Sequence, residues 1–364
     1  MLKKKWVSLL LGMTVLVVSA CSSSPSNSSG SSQSGTETEG PKQLVIAAYG
    51  GSFEKGMKET IIPAFEKKYN AKVTYITGSS ADSLAKLQAQ KDKPQIDVAF
   101  LDDGPQAQAK AFGLLAPLDP SKVTNLSEIH DVAKDPENIG VGIGLVATGL
   151  AYNTKIFQEN GWNPPSSWND LANPEYKGKL VLPSIANTYG VHMLVMMAKA
   201  NGGSEANIEP GFAKMKEVAQ NVLTYDKTAD VSNYFLQGET VASAWGTGRV
   251  YTLKAKDFPI EFVYPKEGAV ALVATGNVVK NAPNGDLAQD FVNFALSEEA
   301  QKTFAESVFF GPVNKNVKLE ADIAEKVVYG EDQVKGLTRM DWKTINENRA
   351  AWTERVNKEI EIAK

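Results

Sequence analysis

The alternation of apolar and polar residues divides most of the chain into short β-branched runs separated by helix-length amphipathic stretches. One run occurs twice. Leu145-Val146-Ala147-Thr148-Gly149 returns as Leu272-Val273-Ala274-Thr275-Gly276, inside the glycine-bounded apolar runs Val141 to Tyr152 and Ala269 to Val279. Runs of this kind are too short to span a membrane and read as buried strands. The segment between the copies has its own strand–helix alternation, enough for a compact α/β lobe. The two copies are therefore expected to be adjacent crossings, out of lobe one and back into it. On this reading the repeat is a hinge with a ligand cleft beside it; the alternative is a short apolar run recurring by chance in two unrelated strands.

Ahead of the first copy, Gln43–Ala48, Lys72–Thr77 and Ile96–Leu101 read as strands. Helices follow them over about 53–69 (kinked or split at Pro63), 81–90 and 105–112. Such a β-α-β-α-β-α order with short loops implies a parallel sheet, and ligands sit beyond the carboxyl ends of its strands. Three loops therefore point to one place: Gly50 to Ser52, Ser79 to Ser80, and Asp102 to Asp103. Between the copies, strands are expected at Leu180–Leu182, Leu223–Tyr225, Val241–Trp245 and Ile260–Tyr264. Helices are expected over 191–199, 209–222 and 228–237, with Asp230 near the start of the last, and Gly246 to Arg249 lead into a shorter one. Further helices are expected over 285–296, 298–307, 321–329 and 340–362. In the last of these, Trp342, Ile345, Trp352 and Val356 form a packing face.

The ends read differently. Lys3, Lys4 and Lys5, the apolar stretch Trp6 to Val18, and Val18-Ser19-Ala20 before Cys21 read as a secretory leader. The small residues ahead of Cys21 resemble a bacterial lipobox, which implies cleavage there and lipidation of Cys21. Ser22 to Gly40 has almost no apolar residue and reads as a flexible tether. Removing the three lysines takes the formal charge from −4 to −7, and no basic run follows, which argues against nucleic acid.

Catalytic signatures are missing. His130 and His192 are the only histidines, and Cys21 is the only cysteine. No zinc-site spacing, nucleophile elbow or Walker loop occurs. Gly142-x-Gly144-x-x-Ala147 matches a dinucleotide pattern but leads into a strand, where that pattern should open a helix. Asp102 and Asp103 read either as an acid/base pair, which keeps a secreted hydrolase as an alternative, or as a helix cap beside a solvated acid. No metal and no cofactor is expected. Tyr49, Tyr189, Trp245, Tyr251 and Tyr264 fall at strand ends or loop starts, where aromatic walls combine with polar groups in small-molecule sites.

Several landmarks occur in a specific order: Tyr49-Gly50-Gly51, Gly113-Leu-Leu-Ala-Pro-Leu118, Ala151-Tyr-Asn-Thr154, Trp168-Asn-Asp-Leu171, Tyr176-Lys-Gly-Lys-Leu180, Tyr264-Pro-Lys-Glu-Gly268 and Gly311-Pro-Val-Asn314. With these the chain resembles the extracellular solute-binding lipoproteins of ABC importers, of the type-II two-lobe fold. The resemblance implies an α/β fold of two lobes, each a mainly parallel sheet flanked by helices, with two hinge crossings. It divides the chain into a leader (1–20), a tether (21–41), lobe 1 (42–147 and 275–318), lobe 2 (148–274) and C-terminal helices packed on the lobes (319–364). Within this group it is most similar to the spermidine/putrescine type. There Trp245 falls at a wall tryptophan, but uncharged Ile185 to Thr188 replace the expected carboxylates.

The expected ligand-binding set is Tyr49, Gly50, Gly51, Ser52, Ser79, Ser80, Asp102, Asp103, Asn187, Thr188, Tyr189, Asp230, Trp245, Gly246, Arg249, Tyr264 and Glu267. The leading expectation is a polyamine-like solute, with carboxylates for the ammonium ends. Arg249 at a helix start suits an amphoteric or anionic solute instead, such as an opine, an amino-acid-like molecule or an aminophosphonate. Thiamine and iron are further alternatives. The resemblance implies a monomer that closes on its solute and delivers it to a membrane permease and ATPase, or presents its closed form to a receptor.

Overall fold

The computed structural model describes residues 40–361, so the leader, Cys21 and nearly all of the tether lie outside the described residues. Nine strands form one sheet: β1 (Lys42–Ala48), β2 (Ala71–Thr77), β3 (Val98–Asp102), β4 (Val141–Asn153), β5 (Leu180–Pro183), β6 (Val222–Asp226), β7 (Ala242–Gly246), β8 (Ile260–Val263) and β9 (Val270–Val278). Their order is β2-β1-β3-β9-β4-β7-β5-β6, with β8 alongside β4. β1 lies parallel to both β2 and β3, and β5 lies parallel to both β6 and β7. These are the parallel parts of two lobes; β3, β5 and β7 are almost wholly buried, while the edge strands β2 and β6 are partly exposed.

The long strands β4 and β9 join the lobes. β4 pairs with β9 over its first part and with β7 and β8 over its last. β9 in turn pairs with β3. The two copies of the repeat lie antiparallel against each other, Leu145 opposite Val273 and Val146 opposite Leu272. Two large hydrophobic clusters follow this division. One gathers Leu44, Ile46, Phe65, Phe100, Phe291 and Phe304, and the other Trp168, Leu182, Met193, Leu194 and Phe212.

Local chemistry sets the helix bounds. The stretch expected as one kinked helix is Ser52–Gly56, a π-helical turn Met57–Ile61, and Ile62–Tyr69. The widened turn precedes Pro63, which has no N–H to give to an α-helical ladder. The helix expected over 321–329 is only Ala321–Ala324, and a short helix Glu331–Lys335 follows it.

The helix Trp342–Val356 begins at Asp341, whose side chain accepts from the Thr344 amide. It buries Ile345, Trp352 and Val356 in the second lobe's core. Trp342, which also packs against that core, and Asn346 reach the first lobe as well. Trp342 Nε1 donates to Asp103 Oδ2 at 2.7 Å, and Asn346 Nδ2 donates to the Gly104 carbonyl at 3.3 Å. The C-terminal helix therefore touches both lobes.

Candidate functional site

A cavity of about 600 Å³ lies between the lobes, and its walls are the loops at the carboxyl ends of β1, β2, β3, β5 and β6 with the start of the helix after β7. Twelve of the expected residues line it: Tyr49, Gly50, Gly51, Ser52, Ser79, Ser80, Asp102, Asn187, Thr188, Tyr189, Asp230 and Arg249. Val146 and Leu272, a facing pair in the repeat, add hinge residues to the lining.

Arg249 bridges the two walls. Its Nη1 donates to Asp230 Oδ2 on its own lobe and to Ser52 Oγ on the other, both at 3.1 Å, and Nη2 donates to the Gly50 carbonyl at 3.1 Å. Asp230 is held in place by the Ser232 amide at 3.1 Å. Gly51 allows this approach. Its φ of +69° suits glycine, and a Cβ there would stand 2.5 Å from Asp230 Oδ2 and 2.6 Å from Arg249 Nη1.

A second bridge runs from Thr188 Oγ1, which donates to Asp102 Oδ2 at 2.5 Å. Asp102 ends β3, and its amide donates to Ser80 Oγ at 3.0 Å. Burial raises the Asp102 carboxyl above the usual aspartate range, against the Thr188 hydrogen bond and the charge of Arg249. Burial, and then the Asp102 charge, push the Tyr49 hydroxyl well above the usual tyrosine range, so it stays protonated, and among the described residues this buried hydroxyl has no hydrogen-bond partner. Ser79 and Asn187 are helix caps. Ser79 shares a capping box with Asp82, and Asn187 accepts from the Gly190 amide.

Five expected residues are elsewhere. Asp103 turns to Trp342 and lines a smaller cavity of about 190 Å³ beside the hinge strands. Adjacent residues at the end of a strand point apart, which separates it from Asp102. Trp245 is 1% exposed and stacks on Phe235 at 5.8 Å, so it is core in place of a cleft wall. Gly246 is buried at the end of β7, opposite Thr148. Tyr264 is 44% exposed and pairs edge-on with Phe262. Glu267 accepts from Ser167 Oγ at 2.5 Å and from the Trp168 amide at 3.3 Å, tying a loop together.

The cleft also holds residues not expected from the sequence, chiefly Lys227, Gln108 and Arg349. Arg349 comes from the C-terminal helix, and its Nη2 donates to the carbonyls of Ile185 and Ala186 at 3.0 and 3.3 Å. No local pattern flags an arginine midway along an amphipathic helix as a cleft residue. Among the described residues no group of three or more His, Cys, Asp or Glu side chains is gathered for a metal ion.

A two-lobe α/β fold with a polar cleft at the hinge defines a class of capture proteins, and comparison with known proteins gives the family. The profile of the bacterial extracellular solute-binding proteins matches residues 60–329. The chain is 26% identical over 261 residues to the spermidine/putrescine-binding periplasmic protein of Escherichia coli, covering 70% of this chain and 74% of that one. It is 25% identical over 284 residues to the gamma-aminobutyric acid-binding protein of Pseudomonas aeruginosa, covering 75% and 78%. The structure of the periplasmic binding protein AfuA of Actinobacillus pleuropneumoniae, with fructose-6-phosphate bound, matches with a TM-score of 0.74 and 25% identity, covering 89% of this chain and 99% of that one. The chain belongs to the bacterial extracellular solute-binding family. It is the substrate-binding component of an ABC transporter. Among the described residues no helix is long and apolar enough to cross a membrane.

Proposed function

We propose that this protein captures a small amphoteric or anionic solute by closing its lobes, and passes it as a monomer to a membrane permease without chemical change. In this reading it works on the outer face of the membrane, held there by a lipid on Cys21. The observation that carries the choice of solute is the balance of charge on the cleft wall. Lys227, Arg249 and Arg349 line it together with Asp82, Asp102 and Asp230. A dicationic polyamine needs an excess of carboxylates and aromatic walls. Trp245, Tyr264 and Glu267, the groups that would serve it, lie away from the cavity. Several hydroxyls and a helix start at Thr247 add donors suited to an anionic group. The names of the relatives, which include a polyamine binder, an amino-acid binder and a sugar-phosphate complex, support a small polar cargo and leave its charge to the site.

The test is a thermal-shift panel on residues 42–364, stripped of bound solute by partial unfolding and refolding. γ-Aminobutyrate, 2-aminoethylphosphonate, an opine and fructose-6-phosphate would be compared with putrescine and spermidine. A cognate probe at a hundred times its Kd stabilises by roughly 2.7 kcal/mol, a shift of a few degrees. Stabilisation by polyamines alone would overturn the reading. Membrane fractionation of the full chain against Cys21→Ala tests the anchor, whose loss releases the protein.

A further inference from the structure

We infer that Arg349, carried on the C-terminal helix, selects the charge of the cargo by holding its anionic group. The inference rests on the amphoteric reading above and assigns the selection to one residue. Arg349 lies beyond residues 60–329, the stretch matched by the family profile. It reaches the cleft because the helix Trp342–Val356 is fastened to both lobes, by Ile345, Trp352 and Val356 on one side and by Trp342 on the other.

The guanidinium is placed but not neutralised. Nη2 is spent on the carbonyls of Ile185 and Ala186, which fix the plane of the fork. Among the described residues Nε and Nη1 have no hydrogen-bond partner. The other cleft arginine differs, since Arg249 is ion-paired with Asp230 at 3.1 Å. Arg355, on the same helix as Arg349, is paired with Glu209 and Glu359. Asp102 attracts Arg349 only from beyond ion-pair distance, and burial lowers the guanidinium to about 10. A half-buried, oriented guanidinium with no ion pair is a receptor for a carboxylate or phosphonate, which it can meet with its charge and with the N–H donors left on Nη1 and Nε. Asp102 stands on the facing wall as the acceptor for an ammonium. A small zwitterion satisfies both.

The test compares the parent chain (42–364) with Arg349→Gln, Arg349→Lys and Arg339→Gln by titration calorimetry. Arg339 is a control, because it lines the smaller cavity and also has no ion pair among the described residues. The probes are 2-aminoethylphosphonate, γ-aminobutyrate and putrescine. For whichever anionic probe the parent binds, Arg349→Gln should weaken binding by roughly 10- to 100-fold, the loss expected for a charged hydrogen-bond pair. Arg349→Lys should recover part of that loss, and Arg339→Gln none of it should show. Putrescine affinity should rise or stay level in Arg349→Gln.

Equal affinity of the parent and Arg349→Gln for an anionic probe overturns the inference and leaves the proposed function standing. Putrescine as the only binder, or no binding of either anionic probe, overturns both. Circular dichroism and unfolding of each ligand-free variant separate misfolding from lost recognition. If Arg349→Gln lowers stability and weakens putrescine and anionic probes alike, its role is structural and the inference fails.

Discussion

Asp102 and Asp103 are neighbours in sequence and line different cavities. Asp102 meets Thr188 across the cleft, while Asp103 meets Trp342 on the C-terminal helix. Burial, and then the charge of Asp102, push the Asp103 carboxyl up from 3.8 to about 7, against the Trp342 hydrogen bond; its other oxygen has no hydrogen-bond partner. A folded-state value raised above the unfolded one means the folded form holds the proton longer. Stability from this group is full below about pH 4 and is lost as the pH rises through about 7. Asp103→Asn should therefore flatten the stability profile over that window and stabilise the protein at pH 8. Urea unfolding at pH 5 and 8 checks this, and an unchanged difference between the two would remove Asp103 from the account. The same pair shows what the sequence can carry at this scale. The Asp102–Asp103 loop was legible because it ends a strand of a parallel sheet, but which acid faces the cleft depends on strand phase. Trp245 had the right position in the chain and the wrong phase, and turned into the core against Phe235.

At the scale of elements the periodicity carried nearly every strand, because short β-branched runs bounded by glycine or proline have few other readings. Helix interiors were legible and their ends less so. Pro63 announced an interruption, and it takes the form of a π-helical turn just ahead of the proline. The C-terminal helix is the instructive case. Its apolar stripe predicted a packing face, but no periodicity says that Trp342 contacts the other lobe. Gly104 makes that contact fit, since a Cβ there would stand 2.5–2.7 Å from the Trp342 ring. Gly104→Ala should cost about 1–3 kcal/mol of stability through overpacking at this junction. Urea midpoints measure it, and a cost no larger than that of a surface glycine such as Gly285→Ala would show the ring free to move aside.

For the whole molecule, the two copies of one pentapeptide became the two strands that join the lobes, and they meet each other in the sheet. That much followed from the letters alone, since a repeat enclosing a lobe-sized segment has an economical explanation in two crossings. Arg249, Thr188 and Asp102 were expected at the cleft, but Arg349 and the contacts the others make were not, because the four come from distant parts of the chain and meet only once both lobes are built.

The facing pair Val146 and Leu272 lines the cavity while belonging to the strands that join the lobes, the ones about which the proposed closure would turn. A solute resting there touches the fulcrum as well as the jaws. How tightly it is gripped and how far the lobes swing are then one adjustable quantity, much as a pivot pin fixes both the bite and the travel of a pair of tongs. Leu272→Ala, which removes no polar contact, should therefore weaken an anionic probe by several-fold and widen the ligand-free protein in small-angle scattering. If affinity falls while the scattering profile stays the same, the pair is only a wall.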